Sequence, residues 1–287
     1  MAFRKNRRAP RHLKRRVKAE KIQRIGIILS VLVSFICVAA LLIPRVRMQH
    51  EQRLFSRLAA QVASVPGSSG TRLPGQEPSL QLPDDPAEDL PEETEAIEDI
   101  LLRTYHSLSE KNPDMVGWLS VPGTDFSYPV MYTQQDGEYY LRRDFYGKAS
   151  YSGTPFLDAR CDMGSGSLFV HGHNLENGTM FEFLLSYQDC GYWQAHPKIR
   201  FDSLAELREY TVIGAFFTQI DEAHFPYYEY CGALDLQQFQ EYVEQIQMQA
   251  LYDTGNTAGF GDQLLTLSTC SYHAENGRFV LVAKRTA

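Results

Sequence analysis

The apolar and polar positions divide the chain into blocks with different periods. Residues 25–44 read IGIILSVLVSFICVAALLIP, twenty positions without a charge. As a helix rising 1.5 Å per residue, this block spans roughly the 30 Å hydrocarbon core of a bilayer. It is longer than the apolar region of a cleaved signal peptide, about 7–15 residues, and no small-x-small site follows Leu42. A retained transmembrane helix over 25–44 is therefore expected. Residues 45–63 keep helical character and extend it as a stalk. Residues 64–95 are rich in Pro, Gly, Ser and acids, the composition of a solvated linker, so 45–95 reads as stalk and linker.

The pattern changes again at Ala96. Ile97, Ile100, Leu101 and Tyr105 recur at helical spacing. Short runs of alternating or β-branched residues follow at 115–121, 126–132, 153–158, 166–173, 199–204, 208–219, 263–270 and 278–285, and these predict strands. One helical pattern interrupts them at 235–251, with Phe239, Tyr242, Val243 and Ile246 on one face. Many short strands with few helices predict a mainly β domain over 96–287, a closed barrel or a sandwich.

Charge sharpens this division. The first 24 residues carry eleven Lys/Arg and one acid, whereas the remainder carries 17 bases and 34 acids. A nucleic-acid-binding protein concentrates basic charge on its folded domain, and here that part is acidic, so no nucleic-acid partner is expected. The basic block 1–24 ahead of the apolar span predicts a cytoplasmic N-terminal tail and an extracellular domain, by the positive-inside rule. Five Cys residues are too few for a disulfide scaffold.

Three places carry candidate chemistry. Cys270 ends an apolar strand, His171 and His173 end another, and Arg278 begins the last. Each has an ordinary reading on its own. A lone Cys is usually a small buried hydrophobe, a strand-end His is usually hydrogen-bonded, and a strand Arg is usually solvated. A His-x-His pair on a strand directs both rings to one face and would also suit zinc. Cys161, Cys190 and Cys231 show no Cys-x-x-Cys spacing, and their pairing is open.

The run Leu264-Leu265-Thr266-Leu267-Ser268-Thr269-Cys270, with Arg278 eight residues on, resembles the active-site signature of the sortases, membrane-anchored cysteine transpeptidases of Gram-positive bacteria. The family's catalytic His follows a Gly, which maps to Gly172-His173 rather than to His171. The segments Asn112-Pro113-Asp114-Met115-Val116-Gly117-Trp118, Tyr128-Pro129-Val130, Asp144-Phe145-Tyr146-Gly147 and Phe156-Leu157-Asp158 are similar to class B of the family. The helix at 235–251 is similar to the long helix of that class. The resemblance covers about 96–287 and the anchor topology, but not the linker.

The resemblance implies a closed eight-stranded β-barrel with an N-terminal helix and one long helix ahead of the Cys strand. It implies Cys270 as nucleophile, His173 as proton carrier and Arg278 as stabiliser of the oxyanion, with no metal or organic cofactor. These residue types suit the chemistry. A free thiol ionises near pH 8.5 and needs a partner, and a guanidinium offers a fixed charge and planar donors. Ser268 shares a strand face with Cys270 and is expected, with Thr269 and Tyr228, to line the peptide groove. The implied reaction cleaves a C-terminal sorting motif between Thr and Gly or Asn and transfers the protein to an amine of a peptidoglycan precursor. The partners are then secreted proteins bearing sorting signals, that lipid-linked precursor, and the plasma membrane through a single span. Two rivals remain at this level: a zinc-dependent extracellular hydrolase using His171 and His173, and a non-catalytic anchored surface domain.

Overall fold

A computed structural model describes residues 11–65 and 91–287; for residues 11–31, 41 and 91–96 it describes the backbone only. The first ten residues of the basic tail and most of the expected linker, 66–90, lie outside the described residues.

The first helix, α1, runs from Arg11 to Ala63 and contains Pro44. Its stretch Leu32–Ala63 contains an 18-residue window with a mean hydropathy of 1.6, and by length and composition it is a candidate to cross a membrane. Phe35, Ile36 and Leu42 on it are exposed. The chain divides into two compact units at His50/Glu51, the second running to Ala287.

Within that second unit the strands are β1 (Met115–Ser120), β2 (Ser127–Met131), β3 (Phe156–Leu157), β4 (Ser167–His171), β5 (Asn174–Leu175), β6 (Thr179–Met180), β7 (Lys198–Ser203), β8 (Glu209–Gln219), β9 (Leu264–Cys270) and β10 (Gly277–Arg285). Eight of them close a barrel in the order β1-β2-β3-β4-β9-β10-β8-β7, with β7 returning to β1. These eight coincide with the eight runs picked out by alternation. Only β2–β3 and β4–β9 are parallel. The barrel closes because its strands carry large apolar side chains: Phe169, Phe201, Phe216, Leu265, Leu267 and Val280 are fully buried. Each such side chain contributes about 1.5–3 kcal/mol of transfer free energy.

Three further helices decorate the barrel: α2 (Pro91–Ser109), α3 (Cys190–Ala195) and α4 (Leu236–Gln249). The sequence pattern places α2 from Ala96; it begins earlier, at Pro91, a residue suited to a first helical turn. Tyr105 on α2 stacks on Trp118 of β1 and donates its hydroxyl to Asp202 Oδ2 at 2.8 Å. Helix α4 falls within the predicted 235–251. It starts with a reciprocal cap, in which Asp235 accepts from the Gln238 amide and the Gln238 side chain accepts from the Asp235 amide. It buries Phe239, Tyr242, Val243 and Ile246 as its period requires. Tyr242 reaches Thr266 of β9 at 2.7 Å, which ties this helix to the strand that carries Cys270.

Residues 51–65, expected as part of a free stalk, pack on the domain instead. Phe55, Leu58, Val62 and Val65 are buried in one apolar cluster with Leu101, Tyr105, Trp118 and Tyr140. The second compact unit thus takes in residues 51–65, ahead of the expected 96–287. The reason is the helical spacing of Phe55, Leu58 and Val62, which gives the end of α1 a face to bury, with Val65 just beyond the helix. Cys161 and Cys231 form a disulfide with a Cα–Cα distance of 6.4 Å, joining the β3–β4 loop to the segment before α4. Cys190 and Cys270 are free thiols.

Candidate active site

Strands β9 and β10 build one side of the site. They pair antiparallel along their length, and Cys270 lies directly opposite Arg278. The ladder alone brings the thiol and the guanidinium together. Both side chains are half-buried at one rim of the barrel, and both line a cleft of about 460 Å³. Arg278 Nη1 donates to the Gly277 carbonyl at 2.9 Å and to the Asn276 carbonyl at 3.4 Å, which turns the guanidinium back along its own strand.

The His side of the cleft comes from β4, which runs parallel to β9 with His171 opposite Ser268. His173 lies just beyond the strand end and lines the same cleft. Gly172 is required there: a Cβ at that position would sit 2.6 Å from the Phe181 ring. The turn is tied to β9 twice more. Thr269 Oγ1 donates to the Gly172 carbonyl at 2.8 Å, and Asn174 Nδ2 donates to the Cys270 carbonyl at 2.9 Å.

His173 Nε2 lies 2.8 Å from the Leu141 carbonyl. A carbonyl only accepts, so Nε2 carries a proton and Nδ1 is the nitrogen left to exchange one. Burial pushes the His173 pKa below 6.5; the Leu141 carbonyl opposes this and the charge of Arg142 adds to it. The ring is therefore mostly neutral at pH 7.

His171 is differently engaged. Its Nε2 pairs with Asp158 Oδ2 at 3.1 Å, and Asp158 also takes two hydrogen bonds from the Arg160 side chain. Burial alone would raise the Asp158 carboxyl, but the bonds from Arg160 and His171 outweigh it and hold the group well below the usual carboxylate range. The two Nε2 atoms of the His-x-His pair thus serve separate partners. Among the described residues no group of three or more His, Cys, Asp or Glu is placed to hold a metal ion.

The expected groove residues all reach the cleft: Ser268, Thr269 and Tyr228 line it. Two of the hydroxyls are already used. Ser268 shares a 2.7 Å hydrogen bond with Tyr227, and Thr269 serves Gly172. Positions 266, 268 and 270 lie on one face of β9, so Tyr242 and Tyr227 occupy the first two polar groups and Cys270 is left free. Burial raises the Tyr227 phenol, and the Ser268 bond and the Arg278 charge offset this only partly. Sequence reasoning gave no role to Asn174 or Leu141, and it took Tyr227 only as part of the aromatic loop 225–230 expected to wall the groove. Tyr227 is the chain neighbour of Tyr228, and Asn174 follows His173 directly; the Leu141 contribution is a backbone carbonyl and leaves no side-chain signal.

Comparison with known proteins gives a consistent result. The sortase domain family model matches residues 119–286. The chain is 29% identical over 185 residues to sortase B of Listeria monocytogenes, covering 62% of this chain and 72% of that protein. It is 27% identical over 184 residues to sortase B of Staphylococcus aureus, covering 63% and 73%. In fold it is similar to a mutant form of Clostridium perfringens sortase B, with a TM-score of 0.62 at 22% identity, over 69% of this chain and 93% of that one.

Proposed function

From the premise that this chain belongs to the sortase family of cysteine transpeptidases, and within it to class B, we propose that Cys270 is its nucleophile, His173 its proton carrier and Arg278 its oxyanion partner. The observation that carries the assignment is the Cys270–Arg278 cross-strand pair opening into a cleft that His173 also lines.

With these roles the cleft supports a two-stage acyl transfer. A sorting peptide lies in the cleft with the carbonyl of its Thr residue at Cys270. Neutral His173 takes the thiol proton on Nδ1 as Sγ attacks that carbonyl carbon. The carbonyl oxygen gains negative charge, and the fixed positive charge of Arg278 stabilises it. The C–N bond breaks, and His173 passes its proton to the departing amine. A thioester remains. An acceptor amine then attacks the thioester, the new amide forms, and its surplus proton returns through His173 to the thiol. Tyr228, Ser268 and Thr269 form walls of the groove.

The remaining context belongs to the same proposal. The substrates are secreted proteins with a C-terminal sorting motif, and the acceptor is the amine of a peptidoglycan precursor. The apolar part of α1 anchors the enzyme in the plasma membrane. Eleven bases precede the span and four Arg follow it closely, so the N-terminus faces the cytoplasm and the barrel faces outward.

The test uses the full-length protein in detergent, incubated with a panel of sorting peptides and an amine acceptor and read by mass spectrometry. Cleavage with ligation that disappears in Cys270→Ala is the expected result. Cleavage that survives Cys270→Ala, or product formation that stops with a chelator and not with a thiol reagent, would overturn the assignment.

A further inference from the structure

The bond that holds His173 leads back to the end of α1. The Leu141 carbonyl belongs to a single 3-10 turn, Tyr139–Arg142. That turn is gripped by the loop at residues 150–154. Ser150 N donates to the Arg142 carbonyl and Thr154 N to the Tyr140 carbonyl, both at 3.0 Å. Arg142 Nη1 donates to the Tyr151 carbonyl at 3.2 Å, and its guanidinium lies over the Tyr151 ring, 5.6 Å from the centroid. Gly153 presses on the turn so closely that a Cβ there would sit 2.5 Å from the Leu141 oxygen.

The loop has one external grip of its own. Glu51 Oε1 accepts from Tyr151 N and Glu51 Oε2 accepts from Ser152 N, each at 3.0 Å. One carboxylate thereby satisfies two successive backbone donors, and Ser152 is almost fully buried. Such a pair is charge-assisted, and removing it leaves a buried N–H without its partner. Phe55, one turn further along, packs edge-on against Tyr128 of β2 at 5.5 Å and fixes the helix that presents Glu51.

We propose that Glu51 is a positioning residue: by holding the 150–154 loop, the last turns of α1 set where Leu141 holds the imidazole of His173. The proposal rests on His173 as proton carrier, and it adds a control over that residue from a helix that contributes nothing to the cleft. The other charged and titratable groups around His173 in the cleft are Glu138, Asp158, His171, Tyr227, Tyr228, Cys270 and Arg278. None of these lies in the gripped loop. Arg142, which influences His173, does touch it.

The experiment uses full-length protein in detergent with Glu51→Ala, Glu51→Gln and, as a control on the same helix, Gln61→Ala, whose side chain bonds to the Arg57 carbonyl and to Lys111, away from the loop. Peptide turnover is read as kcat and KM separately, and the imidazole of His173 is read by its 15N resonance. Glu51→Ala should lower kcat about tenfold with KM within about twofold, because a misplaced catalytic group costs rate more than binding. The His173 Nε2 resonance should move in the same variant. Glu51→Gln keeps one acceptor oxygen and should fall between Ala and wild type, and Gln61→Ala should match wild type in both readouts. An unchanged kcat with an unmoved resonance would overturn the proposal. So would a lowered kcat with an unmoved resonance, which makes Glu51 a contributor to general stability only. A resonance that moves in Glu51→Ala, in a protein whose wild type shows no Cys270-dependent turnover, would uphold the linkage while sinking the catalytic reading of His173.

Discussion

Cys270 and Arg278 face His173 across one cleft, yet the two sides are held by different means. The first pair sits in register on a seven-pair antiparallel ladder. Backbone hydrogen bonds position both residues, and no neighbouring side chain is needed for their juxtaposition. His173 lies past the end of its strand and depends on separate contacts: the Leu141 carbonyl, the close fit of Gly172 on Phe181, and the Thr269 and Asn174 bonds across to β9. Placement by a ladder is robust to distant substitution, whereas placement by single contacts makes each of them a point of control.

Removal of the chemistry itself should give the largest effect. Cys270→Ala should lower turnover about 10⁴-fold or more, and His173→Ala should come close to it. His171→Ala, which breaks a pair with Asp158, should cost far less; equal losses for the two His variants in the same peptide assay would reverse their assigned roles. Next comes Arg278→Lys. The ladder still places the residue, but a point charge replaces a planar fork, and kcat should fall about 10²–10³-fold. Near-normal kcat would show that the charge alone suffices.

Gly172→Ala tests the loop side. The added Cβ meets the Phe181 ring, and overpacking of this kind costs about 1–3 kcal/mol. kcat should drop by about tenfold or more while the rate of Cys270 alkylation stays within about twofold, since β9 and β10 are untouched. A parallel loss of alkylation would mean that the two sides are not independently held. The smallest effect is on pH. Protonated His173 cannot accept the thiol proton, so kcat/KM should fall as pH drops through an apparent pKa below 6.5. Arg142→Ala removes a charge that depresses this value and should move the acid limb upward; a profile that shifts the other way, or not at all, would remove Arg142 from the environment of His173.

The same difference explains what the sequence can and cannot reveal. Strands β1, β4, β8, β9 and β10 are legible because alternation is a local property, and Cys270 and Arg278 stand at their ends. Helix α4 is legible for the same reason, through Phe239, Tyr242, Val243 and Ile246. The 3-10 turns at Tyr139–Arg142 and Tyr227–Tyr230 are too short to carry a period. Tyr227 and Asn174 act through partners 41 and 96 residues away, which no local window contains. The end of α1 reads as a stalk because its apolar face, Phe55, Leu58 and Val62, follows a long apolar block and precedes a linker. Its packing partners on α2 and β1 become visible only in three dimensions.

The parallel pairing of β4 with β9 bears on when the enzyme becomes reactive. These strands are nearly a hundred residues apart in the chain, and β9 and β10 are its last two elements. Pairings this remote form late and slowly, because the intervening chain must be ordered before they can form. Thiol, imidazole and guanidinium therefore share no cleft until the final hairpin slots between β4 and β8 and closes the ring. A chain in which this hairpin is not yet in place has the cysteine but not the cleft that Cys270, His173 and Arg278 line together.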